Sequence, residues 1–225
     1  MKTVLTTVAF ALLVSACTSE TSKGASSTVN DAGSHGTHGG GTGTATSPVD
    51  TAGASGGSMM SLMHSNMEAM KAVPSAGNPD TDFAALMKVH HMGAVEMAEL
   101  EVARGTDPVL KQMAQKMIKD QQEEIAAFNN FVSGHSAHDG GDAFYKEVMA
   151  QMSNMKMNMD HSGSIDKQFA QMMIPHHEGA IDMSKAYLKS GPHEERLKTM
   201  ANTIIGAQQK EIQQLREWLA KNGGK

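Results

Sequence analysis

The chain contains the same unit twice, and this duplication constrains its fold more than any other feature. Residues 83–97 align without a gap with residues 169–183, and both stretches contain His-His followed by x-Gly-Ala-x-x-Met. The match continues, one residue out of step, between residues 110–131 and residues 197–218. Internal repetition of this kind is the signature of a repeated structural unit. We therefore expect two copies of one supersecondary element.

Each copy has the pattern of a helical hairpin. In the first copy, Asp80 or Asp82 is expected to cap the first helix, and residues 105–108 (Gly-Thr-Asp-Pro) to separate it from the second. Gly suits the left-handed backbone conformation that often ends an α-helix. Thr or Asp suits the N-cap of the next helix, and Pro suits its first turn. Residues 190–192 (Ser-Gly-Pro) take this position in the second copy. One hairpin cannot cover its own apolar stripe, so the sequence predicts an all-α fold, a four-helix bundle built from two hairpins.

The first 57 residues are expected to lie outside this bundle. Residues 1–17 combine Lys2, a short apolar run and Val-Ser-Ala-Cys, which is the layout of a lipoprotein signal peptide with Cys17 as the lipidated residue. Cys17 is the only cysteine, so no disulfide partner and no thiolate metal ligand is left in the chain. Residues 18–57 are mostly Gly, Ser, Thr and Ala, which predicts a disordered tether. The protein is therefore predicted to be exported and anchored to a membrane of the cell envelope through a lipid.

The rest of the chain divides into two similar halves. Residues 58–133 comprise a Met-rich segment and the first hairpin, residues 134–142 are a linker, and residues 143–221 comprise a second Met-rich segment and the second hairpin. Spacing of three to four residues between methionines predicts short extra helices in both segments. Flexible core packing is one use for such residues, and a secondary metal site is the use we favour. The candidates are Met60, Met63, His64 and Met67 in the first segment, and Met152, Met155, Met157, Met159 and His161 in the second.

Helical geometry gathers the main candidate ligands on one face. At about 100° per residue, Met87, His90, His91 and Met97 share a stripe of about 120°, the width of a core-facing surface. The second copy repeats this arrangement with Met173, His176, His177 and Met183. On the returning helices, Gln121 and Glu124, with Gln208 and Glu211, fall at the level of the histidines and are candidate outer-shell partners.

These residue types favour a soft metal over a structural hydrogen-bond network. A single buried His is usually a core residue, but two His-His pairs flanked by Met at the same spacing fit metal ligation better. Thioethers select Cu(I) or Ag(I), whereas zinc prefers Cys or carboxylate beside His, and calcium and magnesium prefer oxygen. The chain has 20 methionines but only six Phe, two Tyr and one Trp, an unusual choice for a plain core. Copper, with Cu(I) favoured and Ag(I) as an alternative, is the predicted ion.

The motif Met-Ile-Pro-His-His-x-Gly-Ala-x-x-Met at 173–183, with Ala-x-x-Ile-x-x-x-Gln-x-x-Glu-Ile at 201–212, resembles the domain of unknown function 305 family. Val89 stands where the first copy would have the family's proline. The resemblance spans residues 80–219 and implies a ferritin-like helical bundle, usually exported, with some members linked to copper binding and tolerance. It implies that His90, His91, Met97, His176, His177 and Met183 are the motif residues.

Two other functions remain open. A ferritin-like dinuclear iron or manganese oxidase would use Glu-x-x-His motifs, which do not occur, and the duplicated Glu96 and Asp182 should face solvent. A non-catalytic module could instead bind partner proteins through its methionines. No nucleophile motif suggests another enzyme, and the formal net charge of −5 argues against a nucleic-acid partner. We expect a non-enzymatic copper protein for buffering, storage or tolerance, whose partners are metal ions, the membrane and other envelope copper proteins.

Overall fold

The computed structural model describes residues 57–135, 143–154 and 162–222, and these residues form six α-helices and no strand. The all-α prediction is confirmed. None of the described helices combines the length and the apolar character needed to cross a membrane. The helices are α1 (Met59–Lys71), α2 (Pro79–Arg104), α3 (Pro108–Gly134), α4 (Ala143–Asn154), α5 (Ile165–Lys189) and α6 (Glu195–Asn222).

The two hairpins, α2–α3 and α5–α6, pack through α2 and α5 into the predicted four-helix bundle, and the shorter α1 and α4 lie against α2 and α5. Helices α2 and α5 run antiparallel. The ring of Phe83 near the start of α2 stacks on Tyr187 near the end of α5, with centroids 4.1 Å apart. At the other end, Thr106 after α2 donates its backbone N–H to Asp166 at the start of α5 over 2.8 Å. The middles of α2 and α5, which carry the His-His pairs, therefore meet.

His90, His91, His176 and His177 form a layer across the middle of the bundle, here called the histidine layer. The apolar core of the described residues consists of two clusters, one on each side of this layer. The first is built around Phe83, Phe128 and Tyr187, and the second around Leu110 and Phe169. Along α2 and α5 the histidines fall between the residues of the two clusters. Both clusters hold α2 and α5 together, so the positions of the four histidines relative to one another are set by packing on either side of them.

The duplication extends to the start of the first helix in each hairpin. The Asn78 side chain accepts the backbone N–H of Thr81 over 2.8 Å, and Ser164 accepts that of Lys167 over 3.2 Å. The predicted cap at Asp80 or Asp82 is therefore wrong, because both lie inside the first turn of α2 and are buried. Asn78 precedes Pro79, and proline is preorganised for the first helical position, so the helix starts there.

We expect Asn78→Ala and Ser164→Ala each to lower the free energy of unfolding by about 1 kcal/mol, the usual cost of losing an N-cap side chain. Urea denaturation followed by circular dichroism measures this. Ser133→Ala is a suitable control, because its hydroxyl bonds only to the carbonyl of Asn129 within the same helix, and it should change stability far less. Equal effects for all three variants would contradict the assignment of these two caps.

Two buried aspartates tie the hairpins together at opposite ends of the bundle. Asp80 accepts the Tyr187 hydroxyl over 2.5 Å and the backbone N–H groups of His193 and Glu194 over 3.3 Å. Asp166, its counterpart in the second copy, accepts the backbone N–H groups of Thr106 and Asp107. Each aspartate thus accepts hydrogen bonds from backbone N–H groups that lie just before the second helix of the other hairpin. Sequence reasoning missed this role, since both partners are distant in the chain.

The first connection differs from its prediction at one residue. Asp107 is the N-cap of α3 and Pro108 its first residue, as expected, but Gly105 has an extended backbone with φ −66° and not the left-handed one. A Cβ at Gly105 would overlap the carboxyl group of Glu101. Close approach of that side chain, and not backbone handedness, therefore explains the glycine. In the second connection, Gly191 does have a positive φ of 77°.

Candidate metal centre

His90 of α2 and His176 of α5 meet at the centre of the bundle. Their ring centroids are 3.8 Å apart with the planes tilted by 40°. Both side chains are buried, with only 6% and 3% of their surfaces exposed. The antiparallel crossing of α2 and α5 thus joins one imidazole from each copy into a central pair.

The other two histidines face the second helix of their own hairpin. His91 Nε2 lies 2.7 Å from Glu124 Oε2, and His177 Nε2 lies 3.0 Å from Glu211 Oε2. The first contact is a hydrogen bond, whereas the second lacks hydrogen-bond alignment. The sequence placed these glutamates at the level of the histidines, and the structure brings both pairs into contact.

The histidine layer contains polar atoms without partners. Among the described residues, Nδ1 of all four histidines is buried and has no hydrogen-bond partner, and the same holds for Oε1 of the buried Gln121 and Gln208. Burial, followed by the neighbouring imidazoles, holds the pKa values of His90 and His176 well below their usual range. Since an unpaired buried polar group costs about 1–3 kcal/mol of folding free energy, the layer destabilises the fold unless a ligand binds to these atoms. Neutral imidazole has a lone pair for a metal ion.

A cavity of about 400 Å³ opens on one side of the central pair. Helices α1 and α4 form one wall, and α2 and α5 the other. Glu178 and Asp182 add carboxylates to its lining, and both side chains are largely exposed. The soft donors that line it are the thioether residues Met63, Met67, Met70, Met152 and Met183 and the imidazole residues His90 and His176.

The remaining predicted ligands lie elsewhere. Met87 belongs to the first apolar cluster, and Met97 and Met173 to the second. Met60 packs against the second cluster and His64 is exposed. Cys17, Met155, Met157, Met159 and His161 lie outside the described residues.

Met70 and Asn66 line the cavity but were not among the predicted site residues. The spacing of Met63, Met67 and Met70, at four and then three residues, places them on one face of a helix and would have identified Met70. Nothing in the sequence singles out Asn66.

Histidine, cysteine and carboxylate side chains alone do not form a metal site in the part of the chain that the structure describes. There, no three His, Cys, Asp or Glu side chains come together to hold a metal ion. Glu96 and Asp182 are exposed, as predicted. The thioethers that line the cavity are therefore the candidate donors to join His90 and His176 around an ion.

Comparison with solved structures finds several proteins that are similar to this chain over about two thirds of its length. The silver-bound form of CopM, obtained by co-crystallization, is 25% identical, with a TM-score of 0.50, over 64% of this chain and 96% of that chain. The Cu(I)-bound form of CopM is 26% identical, with a TM-score of 0.49, over 63% of this chain and 96% of that chain. A DUF305 protein from Streptomyces coelicolor is 21% identical, with a TM-score of 0.56, over 66% of this chain and 96% of that chain. None of the curated proteins matches.

The model of the domain of unknown function DUF305 matches the chain twice, at residues 19–132 and at residues 132–219. The two matches correspond to the two copies seen in the sequence and confirm the resemblance drawn from the His-His motif. The chain belongs to the DUF305 family.

Proposed function

We propose that this protein binds copper as Cu(I) in the cavity between α1, α4 and the central helices, and so buffers or stores the metal in the cell envelope. One observation carries the proposal: five methionines and two histidines with unpartnered ring nitrogens line the same cavity. Thioether and imidazole donors suit Cu(I), because both are soft enough for a polarisable ion. Cysteine thiolates are not needed for such a site.

Uncharged donors also favour a monovalent ion. The thioethers are neutral, and the depressed pKa values of His90 and His176 keep both imidazoles neutral near pH 7. Of the carboxylates that line the cavity, Glu178 is paired with Arg216 and Asp182 is exposed, so neither is buried beside the imidazoles. A divalent ion at the buried imidazoles would therefore cost more than a monovalent one. The silver-bound CopM structure supports this reading, since Ag(I) is a soft monovalent ion and that protein is similar to this chain over 64% of its length.

The four histidines would then have two roles. His90 and His176 line the cavity and would bind the ion directly. His91 and His177 do not line it, and each contacts a glutamate. A carboxylate on one ring nitrogen fixes the orientation and tautomer of an imidazole, as outer partners of metal ligands do. Glu124 and Glu211 would thus keep the histidine layer in place around the ion.

The envelope location rests on the sequence alone. A lipid on Cys17 and a polar tether over residues 18–57 would hold the bundle at a membrane surface, where it would meet incoming copper and other envelope copper proteins. Reversible binding without covalent chemistry fits this role of buffering, storage or tolerance.

Competitive titration tests the proposal. We expect the purified protein to bind Cu(I) and Ag(I) stoichiometrically and to hold them against a weak chelator, while Zn(II) added under the same conditions stays with the chelator. Uptake of Fe(II) with consumption of oxygen would point to the oxidase alternative. Absence of any stoichiometric metal would leave the interaction module and end the copper proposal.

A further inference from the structure

Asn66 makes a specific contact between α1 and the central helix α2. Its Nδ2 donates to the backbone carbonyl of Val89 over 2.6 Å, and only 6% of its surface is exposed. An amide is an unexpected residue among the buried side chains of α1, the others being Met59, Met63 and Met70. The contact falls one residue before His90, at the level of the histidine layer.

Gly93 provides the space for this contact. A Cβ at position 93 would overlap the amide group of Asn66. Gly93 is the glycine of the His-His-x-Gly-Ala motif, and it lies inside a regular helix where backbone handedness gives no reason for glycine. Its physical reason is therefore the approach of α1, since glycine in a helix interior costs stability unless something needs the room.

The two copies of the motif differ at this point. In the first copy, Asn66 covers Gly93, whereas in the second copy the equivalent Gly179 lines the open cavity. Met63, Met67 and Met70 lie three residues before, one after and four after Asn66, and all three line the same cavity. A fixed position of Asn66 along α2 consequently fixes the position of three thioethers relative to His90.

We propose that Asn66 and Gly93 form a positioning pair, in which the Asn66 amide docks on Gly93 and so sets the α1 thioethers at binding distance from the His90–His176 pair. This inference rests on the proposed function, because it assigns the pair a role in the same ion site. Met59, Met63 and Met70 are buried in the apolar clusters and so also attach α1 to the bundle, independently of Asn66. Loss of the pair should therefore change the register of α1 more than its attachment.

Asn66→Ala and Gly93→Ala test the pair. Each should weaken Ag(I) binding by about 10- to 100-fold, the range typical for residues that orient metal ligands, while circular dichroism shows the helices intact. The double variant should bind about as well as either single variant, because an alanine at 66 leaves room for a Cβ at 93. Gly206→Ala is the matched control, since Gly206 is also in a helix but has nothing near its Cβ position, and its Ag(I) affinity should equal that of the native chain.

A spectroscopic measurement separates positioning from general loosening of the fold. With ¹³C-methyl methionine, Ag(I) should shift the Met63, Met67 and Met70 signals in the native protein, and these shifts should shrink in Asn66→Ala while that of Met183 persists. Equal Ag(I) affinity of the native chain and both single variants would overturn the positioning role. If the native chain itself fails to bind Ag(I), the proposed function fails instead.

Discussion

Replacing His90 and His176 together by leucine should abolish tight Cu(I) and Ag(I) binding and leave the protein at least as stable as before. Both imidazoles line the cavity at the meeting point of the two copies, so their loss removes the nitrogen donors of the site. Since removing outer-shell partners alone typically costs about 10- to 100-fold in affinity, losing two direct ligands should cost about 100-fold or more. Competition with a Cu(I) chelator measures this change.

The leucine variant should also be at least as stable as the native protein, which separates loss of the ion site from loss of the fold. Nδ1 of both histidines is buried without a partner, and replacing such groups by apolar ones of similar size is often neutral or stabilising. A protein that melts at the same or a higher temperature but no longer binds copper would show that these imidazoles serve the ion and not the fold. His135→Ala with His193→Ala is the control, because both residues are exposed and lie outside the cavity. Unchanged affinity in the leucine variant would move the site away from the central pair.

The sequence predicted the bundle and its histidine layer because both follow from local periodicity. A spacing of 3.6 residues per turn shows which side chains share a face, and all eight His and Met residues of the main set are indeed buried. The cavity could not be predicted, because it depends on how α1 and α4 pack against α2 and α5. Helical periodicity also cannot show which buried methionines line the cavity. Met97 and Met183 both belong to an apolar cluster, but Met183 also lines the cavity.

Long-range contacts explain why the predicted helix cap at Asp80 is wrong. Asp80 and Asp82 are of a residue type that often caps helices, but Asp80 accepts hydrogen bonds from residues more than 100 positions away. Those partners cannot be deduced without knowing that α2 and α5 are antiparallel. The reason for Gly105 is local instead. Glycine at a helix end predicts a left-handed backbone, whereas here the Glu101 side chain leaves no room for a Cβ.

The two ends of the bundle are related by the duplication but differ in one residue. At one end, the Tyr187 hydroxyl donates to Asp80. At the other, the residue aligned with Tyr187 is Glu101, which is fully buried beside Asp166. Within the described parts of the chain, no group donates a hydrogen bond to either carboxyl oxygen of Glu101. Glu101 can replace the tyrosine hydroxyl as a donor only if it is protonated.

The environment decides which of the two acids keeps the proton. Burial acts to raise the pKa of Asp166, but hydrogen bonds from the backbone of Asp107 and from Thr106 lower it overall, so Asp166 stays ionised. Burial, together with the negative charge of Asp166, raises the pKa of Glu101 to about 8, with Asp107 adding to the rise and Lys111 opposing it. We therefore expect Glu101 to be protonated near pH 7 and to donate its proton toward Asp166.

This pair should make the protein less stable as pH rises toward 8. Below about pH 4.5, the folded and unfolded chains both hold the Glu101 proton. Between there and about 8, only the folded chain holds it, so unfolding releases a proton and is favoured by rising pH. The contribution is at most about 1.4 kcal/mol per pH unit. In Glu101→Gln, the amide still donates to Asp166 but does not titrate. The free energy of unfolding of this variant, relative to that of the native chain, should therefore increase as pH rises from about 4.5 to about 8.

Urea denaturation at half-unit steps from pH 5 to pH 8.5 measures the difference, and the histidine contributions cancel because both chains contain them. Tyr187→Phe is the control for the other end. It removes the hydroxyl donor to Asp80, and because burial raises the pKa of Tyr187 above its ordinary value, the loss should be the same at every pH tested. Parallel pH profiles for the native chain and Glu101→Gln would mean that Glu101 is ionised in the folded protein. In that case, two adjacent buried carboxylates would have to be held together by something other than a shared proton.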